Sequence, residues 1–209
     1  MDAGVIELAR PRRGHFELGT GYHGDVWLDL DALFLRPALL QPHVEWLAGR
    51  LREHQVDAVC GPLEGGAFLA LALATRLGVA FLPGYRAPAG PGAAAPVRPA
   101  AAAPAGPGGG PAVGYRLPAV PGGIGGWRVA IADDAVNAGT AVRACAAELH
   151  QRGAGPAAVA ALLALGPAHA TVKQTLALPL YAAGQLDSQA WPAGTCPLCA
   201  SGAPLTDPE

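Results

Sequence analysis

The sequence predicts an α/β fold, a mostly parallel twisted sheet with helices on both faces. Three observations carry this prediction. Short apolar runs alternate with segments of helical periodicity. Gly-rich turns follow two of those runs and lead straight into helices, as crossover connections between parallel strands require. One run, Trp127–Asp134 (WRVAIADD), reads as a buried strand that ends in two adjacent carboxylates.

The elements follow in order. Val26–Leu30 (VWLDL) reads as a strand after a Gly-rich turn. Pro37–His54 reads as a helix with Leu40, Val44, Leu47 and Leu51 on one face. Val56–Cys60 is a short buried strand that runs into GPLEGG, Gly61–Gly66. An apolar helix is expected over Ala67–Leu77, and a strand over Val79–Pro83. After Trp127–Asp134 a helix spans about Gly139–Arg152, with Val142, Cys145 and Leu149 inward and Arg143, Glu148 and Gln151 outward. Gly153 stops it. Pro156–Leu165 is another buried strand, and Leu178–Ala183 a last one.

The 209 residues are read as a single domain, 1–209, with a C-terminal tail over 191–209. Between Ala87 and Ala112, 24 of 26 residues are Ala, Gly or Pro, too little side chain to build a core. Composition there favours disorder, whereas position between two strands suits a lid. Apolar residues make up 51% but aromatics only 6%, so much of the core is alanine. A net charge of −2 argues against nucleic acid and anionic membranes as partners. No apolar run is long enough to span a bilayer, and no leader peptide is evident at Met1. Four cysteines are too few for a disulfide scaffold, so a reduced, cytoplasmic protein is expected.

The chemistry concentrates in VAIADDAVNAGTAVRA, Val129–Ala144. A buried strand delivers Asp133 and Asp134 to its end, and the loop Asn137–Thr140 opens a helix. In open parallel sheets, ligands bind beyond the carboxyl ends of the strands. Free N–H groups and the dipole at the helix start suit a phosphate, to which Thr140 adds a hydroxyl donor. Carboxylates repel that phosphate but suit sugar hydroxyls, from which they accept hydrogen bonds, or a metal. Together the two ends describe a ribose 5-phosphate site. The Gly-rich turn Gly61–Gly66 can surround a diphosphate with backbone N–H groups.

The acid pair and its loop resemble the 5-phosphoribosyl-1-pyrophosphate (PRPP) motif of type I phosphoribosyltransferases. Val59–Arg86 resembles the family's pyrophosphate loop with its helix and next strand. GHFELGTGYHGDVWLDLDAL, Gly14–Leu33, resembles the N-terminal segment of orotate phosphoribosyltransferases, and CPLCASGAPL, Cys196–Leu205, a tail of some members. The resemblance implies the type I phosphoribosyltransferase fold with a small hood from the two chain ends. It implies transfer of ribose 5-phosphate from PRPP to a nitrogenous base, most closely orotate, with Mg²⁺ carried in by PRPP and no direct protein ligand to it assigned. In that reading Asp133 and Asp134 are catalytic. Asn137, Ala138, Gly139, Thr140 and Ala141 bind the 5-phosphate. Gly61, Pro62, Leu63, Glu64, Gly65, Gly66 and Arg86 bind pyrophosphate. Trp27, Leu28 and Asn137 line the base. A homodimer is expected by resemblance.

The sequence departs from the orotate pattern in several places. Glu64 stands where lysine is common, and Asn137 where threonine is found. Ala87 follows Arg86 in place of a basic mobile loop, and Gly166-Pro167 replaces an arginine that reads orotate. Arg116 or Arg128 is a candidate to compensate. Two alternatives therefore stand beside the orotate enzyme: a non-catalytic PRPP-binding regulator, and a phosphoribosyltransferase for another base. The remaining candidates read as structural. Cys196 and Cys199 form a lone CxxC with two of four zinc ligands, favouring a surface turn. The six histidines show no metal spacing, and His15 and His23 read as exposed polar groups. Trp27 also fits core packing, and Arg143 reads as solvated.

Overall fold

The computed structural model describes residues 2–18, 21–88 and 113–207. A six-stranded sheet forms the centre, and a three-stranded sheet lies outside it. The central strands are β3 (Ala58–Pro62), β4 (Ala80–Pro88), β5 (Val113–Arg116), β6 (Arg128–Val136), β7 (Gly155–Leu165) and β8 (Leu180–Leu186). Their spatial order is β5-β4-β3-β6-β7-β8. All neighbours are parallel except β5, which runs antiparallel to β4. The small sheet joins β1 (Arg12–Glu17), β2 (Tyr22–Trp27) and β9 (Ala190–Pro192), all antiparallel. It is the expected hood, made from both ends of the chain.

Helices α1 (Asp2–Leu8), α2 (Pro37–Arg52) and α3 (Gly66–Leu77) cover one face of the central sheet. Helices α4 (Thr140–Gln151) and α5 (Ala168–Leu176) cover the other. The period-two alternation of strands sorts the core. Ala130, Ala132, Ala158 and Ala160 meet the first helix layer, whereas Val129, Ile131, Val159 and Ala161 meet the second. Most inward strand positions are small, so the bulk comes from helix leucines such as Leu47, Leu51, Leu69 and Leu73.

Several boundaries differ from the sequence reading. The strand expected at Val26–Leu30 lies at Tyr22–Trp27, because β2 takes its register from β1 and β9. Strand β4 runs on to Pro88, because β5 pairs with it through Pro88↔Val113. Strand β5 has four residues and was not expected, nor were α1, β1 and α5. Glu148, expected outward, is folded inward and accepts from the Leu117 N–H (3.2 Å) and Arg152 Nε (2.8 Å). Of the Ala/Gly/Pro insert at 87–112, Ala87 and Pro88 belong to β4, and 89–112 lies outside the described residues.

Candidate active site

Sheet topology creates a crevice between β3 and β6. From β3 the chain winds outward through β4 in one direction, and from β6 through β7 and β8 in the other. Ligands bind at such switch points. The β3–β6 pairing stops at Cys60↔Ile131. Beyond it, β6 continues beside β7 as far as Val136. Asp133 and Asp134 lie on this unpaired edge.

Both acids are largely buried, Asp133 to 8% exposure. Asp133 accepts from the Asp134 N–H (3.2 Å), and Asp134 from the Ala135 N–H (2.7 Å). Among the described residues, none of the ion pairs involves either acid. Burial, reinforced by the charge of Asp134, pushes Asp133 well above the ordinary carboxylate range. Burial also pushes Asp134 up to about 6, with Asp31 adding a like charge. The backbone N–H bonds oppose this rise without cancelling it, and hydroxyl donors from a diol would favour the ionised forms further.

The loop from β3 to α3 packs directly against the acids. A Cβ on Gly65 would overlap the Asp134 carboxylate, and one on Gly66 would overlap the Ala132 carbonyl. No side chain fits at either position, so the backbone itself forms one wall of the crevice. The Leu63 N–H donates to the Gly84 carbonyl (3.0 Å), fixing the loop to β4. Arg86, further along β4, pairs with Glu64 at 3.3 Å, both half exposed.

On the opposite wall, Asn137 and Ala138 bend the chain out of β6, and Gly139 adopts φ 66° before α4 begins. No side chain caps this helix, so its first N–H groups are not taken up by one. Arg143 is not solvated as expected. One turn into α4, its guanidinium donates to the Ala138 carbonyl and to Thr140 Oγ1 (3.1 Å). It braces the loop and leaves the Thr140 hydroxyl proton free for an incoming phosphate oxygen. The sequence clue was its position one turn past the Gly-Thr pair.

Solved structures share this arrangement of elements. The orotate phosphoribosyltransferase of Aeropyrum pernix matches with a TM-score of 0.61 at 20% identity, over 86% of this chain and 90% of that one. The adenine phosphoribosyltransferase of Thermoanaerobacter pseudethanolicus matches at 0.60 and 21% identity, over 87% and 98%. This is the type I phosphoribosyltransferase fold. In sequence, the chain is 26% identical over 207 residues to the Thermus thermophilus protein named orotate phosphoribosyltransferase, covering 97% of this chain and 98% of that one. An orotate phosphoribosyltransferase of Thermoanaerobacter sp. is 34% identical over 70 residues, a match that spans 37% of that protein's length. No family profile matches the chain.

Relative to the type I phosphoribosyltransferase crevice, the remaining candidates divide. Trp27 ends β2 with Arg12 stacked 4.6 Å over its ring, and Leu28 packs against the main core. Asp31, just beyond them, is close enough to raise Asp134, so this segment leads from the hood to the acids. Arg128 does not compensate for the missing arginine. It starts β6, at the end of the strand away from the acids, and donates to the His54 carbonyl at 2.9 Å. Arg116 shares a surface groove with Arg152, which caps the far end of α4 from the Asn137–Thr140 loop. His15 and His23, expected to be exposed, are 3% and 8% exposed, and the CxxC at Cys196 and Cys199 is not an isolated turn.

Proposed function

We propose that the protein transfers ribose 5-phosphate from PRPP to a ring nitrogen of a base, with orotate the acceptor, releasing pyrophosphate. One observation carries this reading: two largely buried carboxylates, in no ion pair among the described residues, lie between two walls of backbone, one a Gly-rich turn and the other an uncapped helix start. Orotate is favoured by the sequence relatives, which carry that name across nearly the whole chain.

The N–H groups of Gly139, Thr140 and Ala141, with the Thr140 hydroxyl, hold the 5-phosphate, and Asn137 and Ala138 shape the turn. Asp133 and Asp134 accept from the ribose hydroxyls. The turn Gly61–Gly66 surrounds the pyrophosphate. As the C1–oxygen bond to pyrophosphate breaks and the bond to the base nitrogen forms, positive charge grows on the ring. The two carboxylates favour that charge. Asp133 and Asp134 are oxygen donors of the kind Mg²⁺ prefers, and Mg²⁺ brought by PRPP would supply charge neutralisation of the diphosphate. An acceptor that arrives as an anion, as orotate does, needs no general base. Its site lies toward Trp27 and Leu28.

The Glu64–Arg86 pair favours a second reading. A carboxylate in the diphosphate turn neutralises the cation nearest to it, which weakens catalysis more than binding. A PRPP-binding regulator would tolerate this. The deciding experiment measures pyrophosphate release from Mg²⁺-PRPP with orotate, adenine and other bases. Release with orotate is the expected result. Release with another base alone moves the acceptor. PRPP binding without release for any base leaves the regulator.

We further propose a homodimer, in the cytoplasm, where the four free cysteines stay reduced. Phe68 (59% exposed) and Leu71 (50%) lie one turn apart on α3, Leu35 is exposed just before α2, and Leu39 is exposed in its first turn. The Phe34 and Phe68 rings touch, with centroids 5.2 Å apart, joining these positions into one apolar face. Phe68→Asp is expected to halve the sedimenting mass. A wild-type chain that sediments as a monomer would exclude the dimer. Among the described residues, no helix is long and apolar enough to cross a membrane.

A further inference from the structure

We propose that His15, His23, Cys196 and Cys199 bind a structural zinc ion that fastens the C-terminal tail to the N-terminal hairpin. The four side chains come from three separate elements. His15 lies at the bulge of β1, where register shifts between Arg13 and Phe16. His23 is on the paired strand β2, opposite Glu17. Cys196 caps helix α6 (Pro197–Ala200), and Cys199 lies within it. Their ligand atoms all fall within 4.8 Å of one another.

Four of the six ligand separations lie close to those of a tetrahedral ion. Zn–N bonds of about 2.0–2.1 Å and Zn–S bonds of about 2.3 Å give ligand separations of about 3.3 Å for N–N and about 3.6 Å for N–S. His15 Nε2 and His23 Nδ1 are 3.0 Å apart. Cys196 Sγ is 3.4 Å and Cys199 Sγ 3.6 Å from His15 Nε2. Cys199 Sγ is 3.2 Å from His23 Nδ1. Three of the four residues are buried, and the CxxC end of the cluster reaches the surface.

Hydrogen bonding alone does not account for this cluster. His15 Nδ1 lies 2.9 Å from the Ala203 carbonyl, an acceptor only, so Nδ1 carries the proton and donates. That leaves one lone pair on Nε2 of the neutral ring, facing another imidazole nitrogen and two sulfurs. A single lone pair cannot serve three donors. A cation at the centre receives a lone pair from each of the four groups. The Ala203 contact is then the outer-shell bond that orients a metal-bound histidine.

Two sulfurs and two nitrogens in tetrahedral array select zinc over harder divalent ions. Four protein ligands close the shell, so the ion has no open position for chemistry. Its role follows from the size of the hood. Strands of six, six and three residues form a sheet with few buried side chains of its own. Small modules of this kind gain much of their stability from a metal. The ion joins residues 181 positions apart and adds to the pairing of Phe16 with Thr206 and of His23 with Trp191.

The test uses the full chain, purified under reducing conditions without chelators. Elemental analysis is expected to find one zinc per chain, released when a mercurial blocks the thiols. Replacement by cobalt(II) is expected to give the intense visible bands of a tetrahedral ion with thiolate ligands. Cys196→Ser/Cys199→Ser is expected to lose the metal and to melt at a lower temperature. Wild-type protein that holds no zinc and leaves cobalt octahedral would overturn the proposal, whether or not that variant folds. A Cys196–Cys199 disulfide in the freshly purified chain would overturn it as well.

Discussion

Asp133→Asn/Asp134→Asn lowers phosphoribosyl transfer by at least about 10²–10³-fold, the cost of removing one pre-set electrostatic contact to the transition state. The same change raises the melting temperature of the ligand-free protein. Both effects are expected from one feature, the burial of two carboxylates that pair with no cation among the described residues. Asp134 titrates at about 6 in the fold, against an ordinary 3.8. The folded state therefore holds a proton that the unfolded chain has already lost. Stability from this group is fully present below about pH 4 and is lost as pH rises through about 6. For Asp134 alone the loss is up to about 3 kcal/mol. The wild-type melting temperature should fall across this window, and that of the variant should stay nearly level. In the wild type, kcat/KM should rise with pH through about 6, as Asp134 ionises and accepts from a ribose hydroxyl. A melting curve with the same pH slope in both proteins would show that the pair is not the buried acid described.

Gly66→Ala costs about 1–3 kcal/mol of stability, as overpacking does, and about 10² in turnover, as a displacement near 1 Å can. The added Cβ would lie 2.7 Å from Pro62 Cδ and 2.9 Å from Asp133 Cα, and would overlap the Ala132 carbonyl. These are backbone or ring atoms and cannot rotate aside. Either the diphosphate turn or the acidic strand must move, and the crevice changes shape. Alanine's better helix propensity, worth about 1 kcal/mol, opposes this without outweighing it. Gly49→Ala is the control. It lies within α2 with nothing inside 4 Å of its added Cβ, so the propensity gain should appear alone. Thermal melts and steady-state rates of the two variants check the pair. A Gly66→Ala enzyme as active as the wild type would mean that the turn does not hold the diphosphate.

What was legible in the sequence was local and covalent. The apolar run before Asp133-Asp134, the Gly-Thr pair at a helix start and the glycines around Glu64 each carry their chemistry within a few residues. Period and spacing therefore sufficed to find them. The central strands and helices were legible for the same reason, since alternation and helical periodicity repeat along the chain.

Tertiary structure decided everything that depends on a partner far away in sequence. Strand β5 exists because β4 offers its edge, and β2 is placed by β1 and β9. The role of Arg143 appeared only when its helix turned it onto the loop, and Arg128 was excluded only by the direction of β6. The four-residue cluster is the clearest case. Two histidines eight residues apart and a lone CxxC carry no metal spacing, and each pair alone is half a site. The antiparallel hood brings these distant segments together, and only then do four potential ligand atoms fall within 4.8 Å of one another.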